Sequence, residues 1–492
     1  MIVLAIDQGT TNTKALLVSQ TGDILARASV PLATSYPHPG WAEQSADEIW
    51  SSVQVAIAQV IPGHKVDAIA IANQRETLVV WDAETSLAVC PAIIWQCRRT
   101  ADACAALIAA GHDPLVVAAT GLGINPLFPA AKLAWVMQNV PQAADLHRAG
   151  RLRAGTVDAW LLWKLTAGAS FATDHSNASR TQLFDTESLT FSPALGQIFA
   201  APIDILPRPL ASDALFGHTA IDTTALPVGI PIHAMMGDSH AALYGHGVRA
   251  PGTVKATYGT GSSLMTLTQH RTQSSHDLSG TVAWTTASST AYAIEGTITV
   301  SAQAAAFMAR LLGLSDAAAL SALAQTVPDS GGVAFVPALA GLGAPHWDDA
   351  ATGTITGMTH GTTPAHLARA TFEAIACQVA DVLTAMEQDA GQPLAALSAD
   401  GGASSNPFLM QLQADLLDRP VLRPAIEEVG ALGVAAMAFQ ALGQPLHSAT
   451  SKPTRYEPGL DPASRAQILH RWATAVAKAR HGNPPPSAIP PI

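Results

Sequence analysis

The chain has 492 residues, 13% charged and 48% hydrophobic, with a formal net charge of −11 and no basic block to offset it. That length exceeds what one growing core supports, and that composition is too apolar for a disordered chain, so two or three packed domains are expected. The acidic balance argues against nucleic acid or an anionic membrane surface as partner and favours a small molecule.

The first element is an apolar strand, Leu4-Ala5-Ile6, which delivers Asp7 into a turn rich in Gly and Thr, Gln8-Gly9-Thr10-Thr11-Asn12-Thr13, before a second strand resumes at Lys14. Two apolar runs flanking a Gly-containing turn form a common hairpin. A carboxylate at a strand tip beside hydroxyls and backbone N–H groups is also a place for magnesium and nucleotide phosphates. Residues 23–30 continue as a strand. A helix then starts near Ser45, whose acidic followers Asp47 and Glu48 suit the positive end of the helix dipole. Residues 66–72 form another strand, so strand, hairpin, helix and strand imply a mixed sheet with helices on its faces.

Residues 228–236 repeat the pattern of an apolar strand ending in a carboxylate, Asp238, just before a helix. Ligands gather at the carboxyl ends of strands in open α/β sheets, so Asp7 and Asp238 are expected to share a cleft. The run Thr253–Leu267 again reads strand, Gly/Thr turn (Tyr258-Gly259-Thr260-Gly261), strand, which echoes the first turn and suggests two related lobes. A third turn, Asp400-Gly401-Gly402-Ala403-Ser404-Ser405-Asn406, precedes a helix at Pro407; its small residues would let a flat adenine approach the backbone. The proline-rich end, 481–492, reads as an extended tail.

No apolar run approaches the roughly eighteen residues of a membrane span, and no charged segment precedes the first apolar stretch, so a cytoplasmic chain is expected. Cys90, Cys97, Cys104 and Cys377 are too few for a disulfide framework and lack the paired spacing of a zinc site, which leaves reduced thiols.

Taken together, Asp7–Thr11, Asn73-Gln74-Arg75-Glu76-Thr77, Ile94–Arg99, Gly155–Trp160, Asn177–Thr181, Tyr258–Gly261, Asp400–Ala403, Val429–Gly433 and the signature from Gly353 to Glu373 resemble the FGGY carbohydrate kinases, most closely their glycerol kinase branch. The resemblance covers most of the chain. It implies an α/β fold of two ribonuclease-H-like lobes, as in actin and hexokinase, closing on ATP with Mg2+ and a small polyol or sugar. The expected organisation is an acceptor-binding lobe over 1–247, a nucleotide-binding lobe over 248–480 and the tail. A homodimer or homotetramer is compatible with it.

By the same resemblance Asp7 holds the metal, and Thr10, Thr11, Asn12 and Lys14 contact phosphates. Thr260, Gly402 and Asn406 contact the nucleotide, although Gly and Asn also serve ordinary turns. Asp238 is the general base, which must accept the acceptor hydroxyl's proton as the new O–P bond forms; an aspartate before a helix also reads as an N-cap. Arg75 and Glu76 hold acceptor hydroxyls, Trp95 packs on its carbons and Ser239 lies beside it. Leu127 stands where glycerol kinases carry tyrosine, Ser239 where they carry glutamine, and Ser263 near an expected aromatic, while Ala302 and Ala306 replace a glycine and a glutamine. The implied activity is ATP-dependent phosphorylation of a primary hydroxyl, of glycerol first and of a four- or five-carbon polyol or ketose next. A non-catalytic sugar and nucleotide sensor is the alternative of another class.

Overall fold

A computed structural model of the chain describes residues 1–446 and 452–481. Its first sheet begins with β1 (Ile2–Gln8), β2 (Asn12–Ser19) and β3 (Ile24–Pro31), followed by helix α1 (Ala46–Val60) and strands β4 (Ala68–Asn73), β5 (Leu215–His218) and β6 (Pro231–Gly237). The order is β5-β6-β4-β1-β2-β3. β1, β4 and β6 run parallel, whereas β2 folds back antiparallel to β1 and β3 antiparallel to β2. β1 and β4 are apolar along their length because both faces are covered, while β3, at the edge, alternates. Ser45 caps α1 by accepting from the Glu48 backbone N–H at 3.2 Å, and Ile49, Val53, Ala56 and Ile57 bury one face of the helix.

Helix α2 (Asp238–Gly245) leads out of this sheet into the second, built from β7 (Thr253–Tyr258), β8 (Ser262–Thr268), β9 (Ser279–Thr286) and β10 (Ser289–Ile298). After α3 (Ala302–Leu311) and the long α4 (Pro364–Ala390) come β11 (Ala396–Asp400), α5 (Pro407–Leu417), β12 (Val421–Arg423), α6 (Val429–Ala441), β13 (Thr454–Tyr456) and α7 (Pro462–His481). The order is β9-β10-β8-β7-β11-β12-β13. β7 pairs antiparallel with β8 and parallel with β11. Five strands therefore follow one plan twice: β3-β2-β1-β4-β6 in the first sheet and β10-β8-β7-β11-β12 in the second. This is the expected two-lobed α/β architecture.

The lobes are joined through exchanged helices. α2, which follows the first sheet, lies against β7 and β8, while α6, which follows the second, covers β1, β4 and β6. A shared apolar core containing Ala5, Ala70, Met236, Met265, Val434 and Phe439 fills the space. The two helices cross at glycines: a Cβ on Gly433 would sit 1.8 Å from the Ala241 carbonyl oxygen, and one on Gly245 would sit 2.1 Å from that of Val429. Only residues without a side chain allow that approach.

Residues 482–492, most of the expected tail, lie outside the described residues, and His481 closes α7. Among the described residues no single helix is long and apolar enough to cross a membrane. Cys97, Cys104 and Cys377 are buried thiols and Cys90 is half-buried.

Candidate active site

The parallel strands of the first sheet bring their carboxyl ends together. β1 ends beside Asp7, β4 runs into Gln74, Arg75 and Glu76, and β6 runs into Asp238. The turn after β1 is a hairpin in which Gly9 N–H donates to the Asn12 carbonyl at 3.0 Å, and Gly and Thr line it. The matching turn of the second sheet is closed by Gly259 N–H to the Gly261 carbonyl at 2.9 Å.

Asp7 is the most perturbed carboxylate of the first turn. Burial, and then the charge of Asp238, push its pKa up to about 6, with Asp400 and Glu428 adding to the rise and Lys14, its cross-strand partner, opposing it. Such an excess of negative charge is stabilised by a cation. No group of three or more His, Cys, Asp or Glu among the described residues could hold a metal ion alone. A single buried carboxylate beside hydroxyls is a donor set compatible with an ion that keeps phosphate oxygens and waters as its other ligands, as Mg2+ does.

The rest of the phosphate turn is partly committed to its own support. The Trp95 indole N–H donates to Thr10 Oγ1 at 2.9 Å, and Gln44 Nε2 donates to the Thr10 carbonyl at 2.6 Å. Thr11 is exposed, and its carbonyl accepts from Leu32 N–H, while Asn12 and Lys14 are half-buried. Trp95, expected against acceptor carbons, thus also buttresses the first turn.

Asp238 begins α2, and Gly237 is the N-cap. Its Oδ1 accepts from the Ser239 backbone N–H at 2.6 Å and from Arg75 Nε at 3.1 Å, while its side chain stays 41% exposed. The cap-like contact and an open cleft position coexist on one carboxylate. Burial raises its pKa and Arg75 opposes that rise.

Arg75 and Glu76 do not stand free, as a simple diol grip would require. Arg75 Nη1 donates to Glu295 Oε2 at 2.8 Å and Nη2 to Ser239 Oγ at 3.2 Å. Arg180 donates through Nε to Glu76 Oε1 at 2.7 Å, and its Nη2 lies 2.9 Å from Glu295 Oε2. Ser263 donates to Glu295 Oε1 at 2.7 Å, and its hydroxyl is 3.3 Å from that of Ser239. Glu295 is fully buried, yet the two guanidiniums outweigh burial and hold its carboxyl well below the usual range. Glu76 adopts φ 60°, and Lys132 Nζ fixes its carbonyl at 2.8 Å while also donating to the Leu127 carbonyl at 2.7 Å. Backbone strain of that kind in a non-glycine residue concentrates at functional sites.

Glu295, Arg180 and Lys132 were not named as site residues from the sequence. Arg180 lay inside the Asn177–Thr181 motif quoted for the resemblance. Glu295 had its own signal, a lone acid in the apolar strand Tyr292–Ile298, since buried carboxylates are rare unless paired.

On the second lobe, Thr260 is exposed in its turn, and its carbonyl accepts from Ser301 N–H just before α3. Ala302, half-buried, opens α3, and Ala306 is exposed on it. Gly401, at φ 85°, has no room for a side chain, because a Cβ there would lie 2.5 Å from the Tyr258 carbonyl oxygen, whereas Gly402 is exposed with open space around it. The second and third turns are thereby packed together. Asn406 caps α5, its Oδ1 accepting from Phe408 and Leu409 N–H while Nδ2 donates to Ser321 Oγ at 3.0 Å. These contacts lie within the second lobe.

Sequence comparisons agree with this geometry. Residues 2–245 match the FGGY family of carbohydrate kinases, N-terminal domain, and residues 254–442 match the C-terminal domain of the same family. A glycerol kinase of Symbiobacterium thermophilum is 44% identical over 490 residues, covering 97% of this chain and 98% of the relative. An apulose kinase of Pectobacterium atrosepticum is also 44% identical, over 488 residues and the same shares. The crystal structure of Plasmodium falciparum glycerol kinase with ADP superposes with a TM-score of 0.90 at 27% identity, covering 97% of this chain and 98% of that one. Fold and site define a two-lobed, actin- and hexokinase-like carbohydrate or polyol kinase. The chain belongs to the FGGY family of carbohydrate kinases.

Proposed function

We propose that the enzyme transfers the γ-phosphoryl group of ATP to a primary hydroxyl of a small polyol, with glycerol as the leading acceptor and the cytoplasm as its place of work. The observation that carries this reading is the convergence of Asp7, Asp238 and the Arg75–Glu295 pair at the strand tips between two Gly/Thr turns. The acceptor oxygen attacks the γ-phosphorus and a new O–P bond forms. The bond to the β–γ bridging oxygen breaks, ADP leaves with that electron pair, and the hydroxyl proton passes to Asp238. Arg75 holds the Asp238 carboxylate in place through Nε. Glu76, fixed by Arg180 and Lys132, accepts from a second acceptor hydroxyl. Mg2+, held by Asp7, would supply positive charge to the phosphates.

A second reading, a four- or five-carbon ketose or polyol, is favoured by one feature. Ser239 and Ser263 are small hydroxyl residues beside Arg75 and Glu295, which leave volume and hydrogen-bonding capacity next to the acceptor. Similarity to an apulose kinase supports it. A coupled assay of ADP release over glycerol, tetritols, pentitols and ketoses tests both. Release that rises above the acceptor-free rate with at least one member is expected, and none with any member would reject the kinase reading.

A further inference from the structure

α2 starts with Asp238 and runs to Gly245, and the next residue, His246, closes it through its backbone N–H, which donates to the Ala242 carbonyl at 2.9 Å. Ending the helix makes no demand on the ring. The imidazole is nonetheless fully buried with both nitrogens engaged, Nδ1 at 2.7 Å from Ser398 Oγ and Nε2 at 2.7 Å from Asp400 Oδ2. A carboxylate only accepts, so Nε2–H donates to Asp400 and Nδ1 accepts from the Ser398 hydroxyl.

Both partners belong to β11, and Asp400 is its last residue. Asp400 is buried and its Oδ1 has no hydrogen-bond partner among the described residues, so the bond from His246 to Oδ2 carries the orientation of the carboxylate. Gly401 follows at once and presses on the Tyr258 carbonyl, which locks the third turn to the end of β7 and its Gly/Thr turn. His246 thus ties the far end of α2 to the strand tip that carries the third turn and, through Gly401, supports the second. At the near end Ser239 Oγ lies 3.3 Å from Ser263 Oγ of β8. One rigid element joins the two anchors, since Asp238 and His246 are separated by roughly 12 Å of helix axis.

Phosphoryl transfer needs the attacking oxygen, the γ-phosphorus and the leaving oxygen in line, and a misplacement of about 1 Å costs on the order of 100-fold in rate. On the reading of Asp238 as the proton acceptor and of the second lobe as the nucleotide site, we infer that His246 is a positioning residue, a buried tie that sets the distance between Asp238 and the nucleotide turns. It touches neither acceptor nor nucleotide. Without it Asp400 and Ser398 lose a shared partner at the root of the third turn, and α2 is free to shift against β11. Arg75 and Glu76, which hold the acceptor, stand on the first sheet, so acceptor binding is spared while the chemical step is not.

The test is the single-turnover rate of ADP formation at saturating acceptor, measured beside the acceptor KM and calorimetric ADP binding in wild type, His246→Gln and His246→Leu, with the fastest acceptor of the screen. His246→Gln keeps an amide N–H for Asp400, whereas His246→Leu keeps neither bond. His246→Leu should slow the single turnover by about 10- to 100-fold with acceptor KM and ADP affinity within a few-fold of wild type, and His246→Gln should recover most of the rate. An unchanged rate in His246→Leu, an equal loss in both variants, or a loss that falls on KM or ADP affinity and not on the rate would overturn the inference. Where His246→Leu does not fold, Ser398→Ala, which removes one of the two bonds, decides: a several-fold slower turnover at unchanged KM supports the tie, and a wild-type rate overturns it. A wild-type enzyme with no acceptor-dependent turnover would instead reject the kinase reading itself.

Discussion

Arg75 Nη1 lies 2.8 Å from Glu295 Oε2, a contact between a strand tip of the first sheet and a strand of the second. The side chains are 10% and 0% exposed, so the pair belongs to the floor of the cleft. Around it Arg180, Glu76, Ser263, Ser239 and Asp238 form one connected network. A network of buried charges is costly to leave half-satisfied.

Glu295→Ala leaves two buried guanidiniums without their shared carboxylate. The expected loss is about 3–5 kcal/mol of stability, read as a lower midpoint in urea. Acceptor-dependent turnover should fall with it, because Arg75 loses the contact that aims its Nε at Asp238. An unchanged midpoint would show that the pair is not load-sharing in the folded state.

Asp7 carries a prediction with a defined sign. Its folded-state pKa of about 6 lies above the ordinary 3.8, so its ionisation opposes folding. The penalty is complete above about pH 6 and disappears as pH falls toward 4. Asp7→Asn should therefore raise the ligand-free melting temperature at pH 8, by a stabilisation on the order of 1–3 kcal/mol, and leave it nearly unchanged near pH 4. On the proposed role of Asp7 as metal ligand, turnover should drop by about 100-fold or more as that charge is lost. A melting temperature at pH 8 equal to or below wild type would contradict the electrostatic account of this turn.

Much of this was legible in the chain. The strand tips at Asp7 and Asp238 could be read because an apolar run ending in a carboxylate is a local pattern, and the Gly/Thr turns could be read for the same reason. The start of the helix near Ser45 was visible too. What escaped were relations between distant residues. Glu295 and Arg180 meet only because two sheets face each other, and no spacing between them encodes that. The exchange of α2 and α6 across the lobes was equally hidden, although Gly245 and Gly433 mark the crossing once its geometry is known. Arg75 illustrates the difference most sharply: the family resemblance of its motif suggested a ligand, but its partners Glu295 and Ser239 could come only from the fold.

On the proposed function, Ser239 and Ser263 set the size of the acceptor that fits. Ser263→Phe would fill the volume beside Ser239 and remove the hydroxyl that donates to Glu295. A five-carbon ketose should lose about 10-fold or more in kcat/KM, while glycerol changes less, a discrimination of about 1–3 kcal/mol as expected for a reshaped pocket. Equal losses for both acceptors, measured side by side, would remove Ser263 from the specificity-setting wall.

The central claim is that Asp238 accepts the proton of the attacking hydroxyl. Asp238→Asn keeps the size of the side chain and an oxygen for the Ser239 and Arg75 contacts but removes its basicity. The direct measurement is acceptor-dependent ADP release by this variant beside calorimetric ADP binding. The account predicts turnover lowered by about 100- to 10,000-fold with ADP affinity within a few-fold of wild type; wild-type turnover in Asp238→Asn would contradict it.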